Sequence, residues 1–128
     1  MAKYLSAEYL EIQKQLAQEF PERPGASARM QYSITDAPDG NVKYYQVIEN
    51  GKMLENSIGE DPQSDFMLTM SYADAAAIAR GELDANAAFM QGKVKVTGNM
   101  GKLMSLLPLT ASPEYKAIAQ KVNEQTEY

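Results

Sequence analysis

The sequence contains neither cysteine nor histidine. That removes cysteine nucleophiles, histidine general bases and Ser-His-Asp triads. It also removes zinc sites built on Cys or His, and any disulfide framework. No apolar run approaches the roughly eighteen residues of a membrane span, and polar residues interrupt the opening stretch 1–16 throughout, unlike a signal peptide. Basic charge is scarce as well. The formal net charge is -5 and neither half of the chain holds an excess of Lys and Arg, so no basic stripe is available for nucleic acid. Gly51-Lys52 and Gly101-Lys102 lack the earlier glycine of a P-loop, since Gln46 and Val96 stand there. There is no Gly-x-Ser-x-Gly and no EF-hand spacing. The acidic residues Glu60-Asp61 and Asp36 with Asp39 fall in turn sequences and read as solvated loop side chains. The C-terminal Gln125-Thr126-Glu127-Tyr128 is not the peroxisomal Ser-Lys-Leu address. The expectation is a soluble, cytoplasmic protein that is not an enzyme and carries no cofactor or metal.

What is present is globular. Of 128 residues, 45% are hydrophobic and 23% charged, which suits one domain over 1–128 with a core that needs no cross-link. Ser6 is a helix cap, and Tyr9, Ile12 and Leu16 form one apolar stripe before Pro21. Residues 28–36 alternate, with Ala28, Met30, Tyr32 and Ile34 on one side. Turn residues at 36–41 lead to a second strand over 42–49. Of its adjacent Tyr44 and Tyr45, one faces the core and the other is exposed. Asn50-Gly51 is the strongest short hairpin signal and returns a third strand over 52–58. After a polar loop, 66–70 is a strand apolar on both faces, expected to be central or doubly covered. Ser71 and Asp84 cap helices that Gly81 and Gly92 end. Residues 93–97 alternate as a fifth strand. Asn99 caps a helix carrying Met100, Leu103, Met104 and Leu107, which Pro108 stops. A last helix runs from Ser112 to Val122 with Tyr115, Ile118 and Val122 inward. The predicted class is α+β with a five-stranded, mostly antiparallel sheet covered by helices.

Segment 65–107 carries the most information. Its Ala88-Phe89-Met90-Gln91-Gly92-Lys93-Val94-Lys95-Val96-Thr97-Gly98-Asn99 run, the Gly81-Glu82-Leu83 step and Asp65-Phe66-Met67-Leu68-Thr69-Met70 resemble the sterol carrier protein type-two family. The resemblance extends over about residues 8–122. It implies a tunnel enclosed between sheet and helices and the binding or transfer of sterols, fatty acids, acyl-CoAs or phospholipids, with no catalytic residues. The ligand-binding positions it implies are Phe66, Leu68, Met70, Ile78, Phe89, Met90, Val96, Met100, Leu103, Met104 and Leu107. By themselves Met67, Met70, Met90, Met100 and Met104 read either as core filler or as an adaptable lining; the resemblance favours the lining. Phe89, just before a helix-ending glycine, also reads as a packing anchor. Lys93, Lys95 and Lys102 read either as a solvated face or as a transient contact with an anionic membrane. The implied partner is a lipid or sterol-like small molecule. The alternative is an accessory subunit that presents a lipid intermediate, such as an isoprenoid quinone precursor, to partner enzymes.

Overall fold

The computed structural model describes residues 1–128. The chain opens with β1 (Ala2–Lys3) and α1 (Ala7–Ala17). The Ser6 hydroxyl accepts a hydrogen bond from the Tyr9 N–H at 3.2 Å, satisfying one orphan donor of the first turn. Then come β2 (Ala28–Ala37), β3 (Gly40–Glu49) and β4 (Lys52–Ile58), an antiparallel meander. Asn50 and Gly51 adopt φ of 51° and 83°, the left-handed pair that a two-residue hairpin requires.

After the 59–65 loop, β5 (Phe66–Ser71) lies parallel to β2 rather than beside β4. Next are α2 (Tyr72–Ala79) and α3 (Ala85–Met90), capped by Ser71 and Asp84. Strand β6 (Lys95–Gly98) then pairs antiparallel with β5. The strand order is β4-β3-β2-β5-β6, a mixed sheet whose one parallel junction is β2–β5. The chain closes with α4 (Met100–Ser105), α5 (Leu107–Thr110), α6 (Pro113–Glu124) and β7 (Thr126–Glu127). The α+β class and the five strands match the sequence reading.

All the helices that contact the sheet do so from one side. Helix α1 packs on β4, α2 and α4 pack on β2 and β5, and α6 packs on α1 and α5. Strand register assigns Met30, Tyr32 and Ile34 of β2, Val42, Tyr44 and Ile48 of β3, and Phe66, Leu68 and Met70 of β5 to that inner face. Phe66 and Ile34 are almost wholly buried there, each contributing about 1.5–3 kcal/mol of apolar burial. The outer face carries Arg29, Gln31 and Ser33, partly covered by the 59–65 loop. Gln31 is buried beneath that loop, its amide donating to Gly59 O at 3.1 Å and its oxygen accepting from Asp61 N at 2.7 Å. No helix is long and apolar enough to cross a membrane.

Two expectations need correction. The helix expected to reach Leu107 breaks at Leu106. Pro108 sits inside the first turn of α5, where a missing N–H costs nothing, and the break turns Leu106 and Leu109 into the core. Strand β6 starts at Lys95 rather than Lys93, because the Lys93 N–H is committed to the Ala88 carbonyl at the end of α3. Of the two alternatives for β5, it lies inside the sheet between β2 and β6 and is not covered on both faces, since Met67 on its outer side is 39% exposed. One feature was not anticipated: β1 and β7 pair in parallel, joining the two ends of the chain in a strand pair too short for periodicity to reveal.

Candidate functional site

The inner face of the sheet is the candidate site. Register places Phe66, Leu68 and Met70 beside Val96, which lies opposite Leu68 across the β5–β6 pair. Leu103 of α4 packs against the same cluster. Phe66 is sealed, whereas Leu68, Met70, Val96 and Leu103 pack against the core and yet are only partly buried. These five of the implied positions are brought together. Ile78 and Leu107 are half-buried but lie outside that cluster. Phe89, Met100, Met104 and Met90 face outward, at 43%, 43%, 59% and 85% exposure. Phe89 is therefore not a packing anchor. These outward positions follow from the brevity of α3 and α4, six residues each, which leaves one face of each helix without a neighbour. Lys93, Lys95 and Lys102 are exposed.

Tyrosines form the second part of the site, which the sequence reading did not assemble. Tyr32 and Tyr44 are directly opposed on β2 and β3, their rings stacked 4.5 Å apart and within 3° of parallel. Tyr9 reaches in from α1, with Tyr4 against it edge-on at 5.0 Å. Tyr115 reaches in from α6 and stacks on Phe20 at 5.6 Å. Burial raises the pKa of the Tyr4, Tyr9, Tyr32, Tyr44 and Tyr115 hydroxyls above the ordinary phenol value, so all five stay neutral. Two tyrosine hydroxyls donate within the protein, Tyr32 weakly to Met30 Sδ at 3.8 Å and Tyr128 to Asn123 Oδ1 at 2.6 Å. The hydroxyls of Tyr9, Tyr44 and Tyr115 do not. The side-chain polar atoms sealed in the interior without a partner are Arg23 Nε and Asn56 Oδ1. The available signal was that Tyr9, Tyr32 and Tyr115 each occupy an inward position in their own pattern. That they share one core depends on topology.

None of the eleven implied positions lines either of two depressions on the surface. One, of about 210 Å³, lies at the N-terminal end of α1, where Tyr4, Leu5, Val42 and Tyr72 form its apolar side. Lys3 and Asp39 also line it and pair at 3.5 Å. The other, of about 460 Å³, is polar and lies on the outer face beside Asp61 and Lys43. Asp61 is buried there, and the Arg29 guanidinium, 2.8 Å away, holds its carboxyl below the usual range.

A mixed five-stranded sheet with helices on one side and an apolar inner face is the architecture that the comparisons with known proteins address. Residues 11–111 match the model of the SCP-2 sterol transfer family, and the chain belongs to that family. Human sterol carrier protein 2 is 35% identical over 111 residues, which cover 82% of this chain and 19% of that protein. The chain thus spans about a fifth of the length of that relative. The "Non-specific lipid-transfer protein-like 1" of Caenorhabditis elegans is 33% identical over 100 residues, covering 75% of this chain and 80% of its own. A crystal structure of sterol carrier protein 2 superposes with a TM-score of 0.75 at 15% identity, covering 93% of this chain and 98% of that one, which establishes the shared fold.

Proposed function

We propose that residues 1–128 act as one lipid-binding domain that holds a lipid or sterol-like ligand in an apolar tunnel between the inner sheet face and the helices. The observation that carries this reading is that Leu68, Met70 and Val96 on the inner sheet face and Leu103 on α4 pack against the core, in a chain of this family, and are still incompletely covered. Phe66 forms the floor. Ile78 and Leu107 stand at the margin, and Phe89, Met90, Met100 and Met104 belong to the outside. No covalent step is involved. The ligand moves from water or a membrane into a drier space, gaining about 0.8 kcal/mol per buried methylene, less the cost of association. The short helices α4 and α5, joined at Leu106, form the gate.

An environment-sensitive fatty-acid probe with displacement by unlabelled lipids tests the reading. Leu103→Trp puts an indole where the ligand would lie and should weaken probe binding at least tenfold, about 1.4 kcal/mol, with the melting temperature held. Met104→Trp, on the exposed face of the same helix, should leave both unchanged. If Leu103 instead occupies filled core, its replacement overpacks the site at about 1–3 kcal/mol, and a destabilised variant with normal binding would refute the tunnel.

A further inference from the structure

Charge is unevenly placed along the chain. All seventeen acidic residues lie outside residues 85–113, whereas Lys93, Lys95 and Lys102 lie inside that stretch. It is therefore positive in a chain whose formal net charge is -5. All three lysines are exposed, and none is in an ion pair. The same stretch forms one border of the fold. It holds α3, the edge strand β6 and α4, and no strand pairs with the outer side of β6. Helix α3 leads into this edge, with the Lys93 N–H bonded to the Ala88 carbonyl at 2.9 Å. Asn99 leads out of it and caps α4 through the Lys102 N–H at 3.2 Å. The two helices thus flank a four-residue strand, roughly 13 Å of chain. Of the twelve residues in α3 and α4, only Ala88 is buried. Their Phe89, Met90, Met100 and Met104 are four of the nine large apolar side chains exposed on the whole chain, so the apolar exposure is concentrated where the acidic residues are missing.

Building on the carrier reading, we propose that the α3–β6–α4 border docks on an anionic lipid bilayer, its phenylalanine and methionines entering the headgroup region and its lysines meeting the lipid charge beside them. Two properties together select this partner. The first is charge. Unpaired lysines on an otherwise acidic molecule are drawn to a negative surface while the rest of the chain is repelled, so charge decides which side faces the membrane. The second is the apolar exposure. Nucleic acid or an acidic protein would use the same lysines but gives no place to four apolar side chains standing in water, whereas a bilayer interface takes them up. The longer helices offer no rival surface. Helix α1 and the turn after it expose Glu8, Glu11, Glu19 and Glu22 around Lys14, and α6 balances Glu114 and Glu124 against Lys116 and Lys121. Docking by this border brings α4 to the bilayer, and with it the proposed gate at Leu106. A ligand can then enter without crossing open water.

Flotation of the full chain with vesicles tests the surface. Binding should be at least about tenfold tighter to vesicles containing phosphatidylserine and phosphatidylcholine in equal parts than to phosphatidylcholine alone. Raised salt should remove most of that gain, because screening shortens from about 8 Å at physiological ionic strength to about 3 Å at about 1 M. Lys93→Gln, Lys95→Gln and Lys102→Gln together should weaken binding to the anionic vesicles at least about tenfold. Lys3→Gln, Lys116→Gln and Lys121→Gln remove the same charge elsewhere and should weaken it by no more than about threefold. Met90→Ser with Met104→Ser, at two exposed positions, should weaken binding to both kinds of vesicle. Equal binding to both kinds, no binding to either, or equal losses in the two lysine triples overturns the docking surface. So does binding to heparin that matches binding to the anionic vesicles and is untouched by the methionine double variant, since that assigns the border to a soluble anionic partner. Probe binding in solution should be normal in all these variants, so failure of docking leaves the carrier reading in place. Absence of saturable probe binding in the wild type overturns the carrier reading and, with it, the role of this border in ligand entry.

Discussion

A methyl group added at Gly98 measures how tightly β6 is held against β5. Gly98 has φ +117°, and a Cβ there would sit 2.6 Å from the Asp65 carbonyl oxygen and 2.7 Å from Phe66 Cα. Neither atom is free to move away. The Asp65 carbonyl accepts the Asn99 N–H at 2.8 Å, and Phe66 is the buried floor of the candidate site. Gly81 is the matched control, with φ +78° and nothing within 4 Å of its added Cβ. Both alanine variants bear the cost of an L-residue in a glycine conformation, about 1–3 kcal/mol. Only Gly98→Ala adds the contact, about 1–3 kcal/mol more by analogy with overpacked cores. At about 4 °C per kcal/mol for a chain of this size, Gly98→Ala should melt about 4–12 °C below Gly81→Ala. Thermal melts and urea midpoints of the two variants give the difference. Because the displaced strand carries Val96, Gly98→Ala should also weaken probe binding while Gly81→Ala does not. Equal melting temperatures would refute the close approach of β6 to β5.

Two pH experiments follow. The folded pKa of Asp61 is depressed, chiefly by its hydrogen bond with Arg29, so its contribution to stability is present above the unfolded carboxyl value of about 3.9 and is lost as pH falls through the folded one. The urea midpoint should therefore fall more steeply below pH 4 in the wild type than in Asp61→Asn, and parallel acid limbs would count against the pair. The raised folded pKa values of Tyr4, Tyr9, Tyr32 and Tyr44 act in the opposite direction. Their contribution is intact below about pH 10 and is lost as pH rises. Phenolate absorbance from these residues should thus appear together with loss of circular dichroism, and titration of all eight tyrosines in a native chain would refute their burial.

Features written in local sequence were the legible ones. Ser6, Ser71, Asp84 and Asn99 cap the helices they were expected to cap, and Asn50-Gly51 makes the hairpin, because these signals act within a few residues of chain. Inward positions were legible by alternation in β2 and β6, but not in β5, which was read as apolar on both faces and whose inward Phe66, Leu68 and Met70 are set by register with β2. The parallel pairing of β5 with β2 was not, since it depends on where a loop delivers a strand, and β5 has no local mark that distinguishes β2 from β4 as a neighbour. Helix face was also illegible in α4. A spacing argument treats Met100, Leu103, Met104 and Leu107 as one stripe, but a six-residue helix followed by a new one at Leu107 breaks that stripe and buries Leu106 and Leu109 instead. The tyrosines were misjudged differently. Tyr9, Tyr32 and Tyr115 were each read as inward, but only the fold shows that they share one core.

The β1–β7 pair has a mechanical consequence. The strands are parallel and hold Met1 and Tyr128 at opposite ends of the pair, tied by Ala2 N–H to Gln125 O at 2.9 Å and Tyr4 N–H to Glu127 O at 2.8 Å. Tension applied between the termini draws β1 and β7 along their own axes in opposite directions. The two bonds are then loaded side by side, in shear, and must fail together rather than peel one after the other. Force transmitted along the backbone reaches this clasp before it reaches α1 or α6.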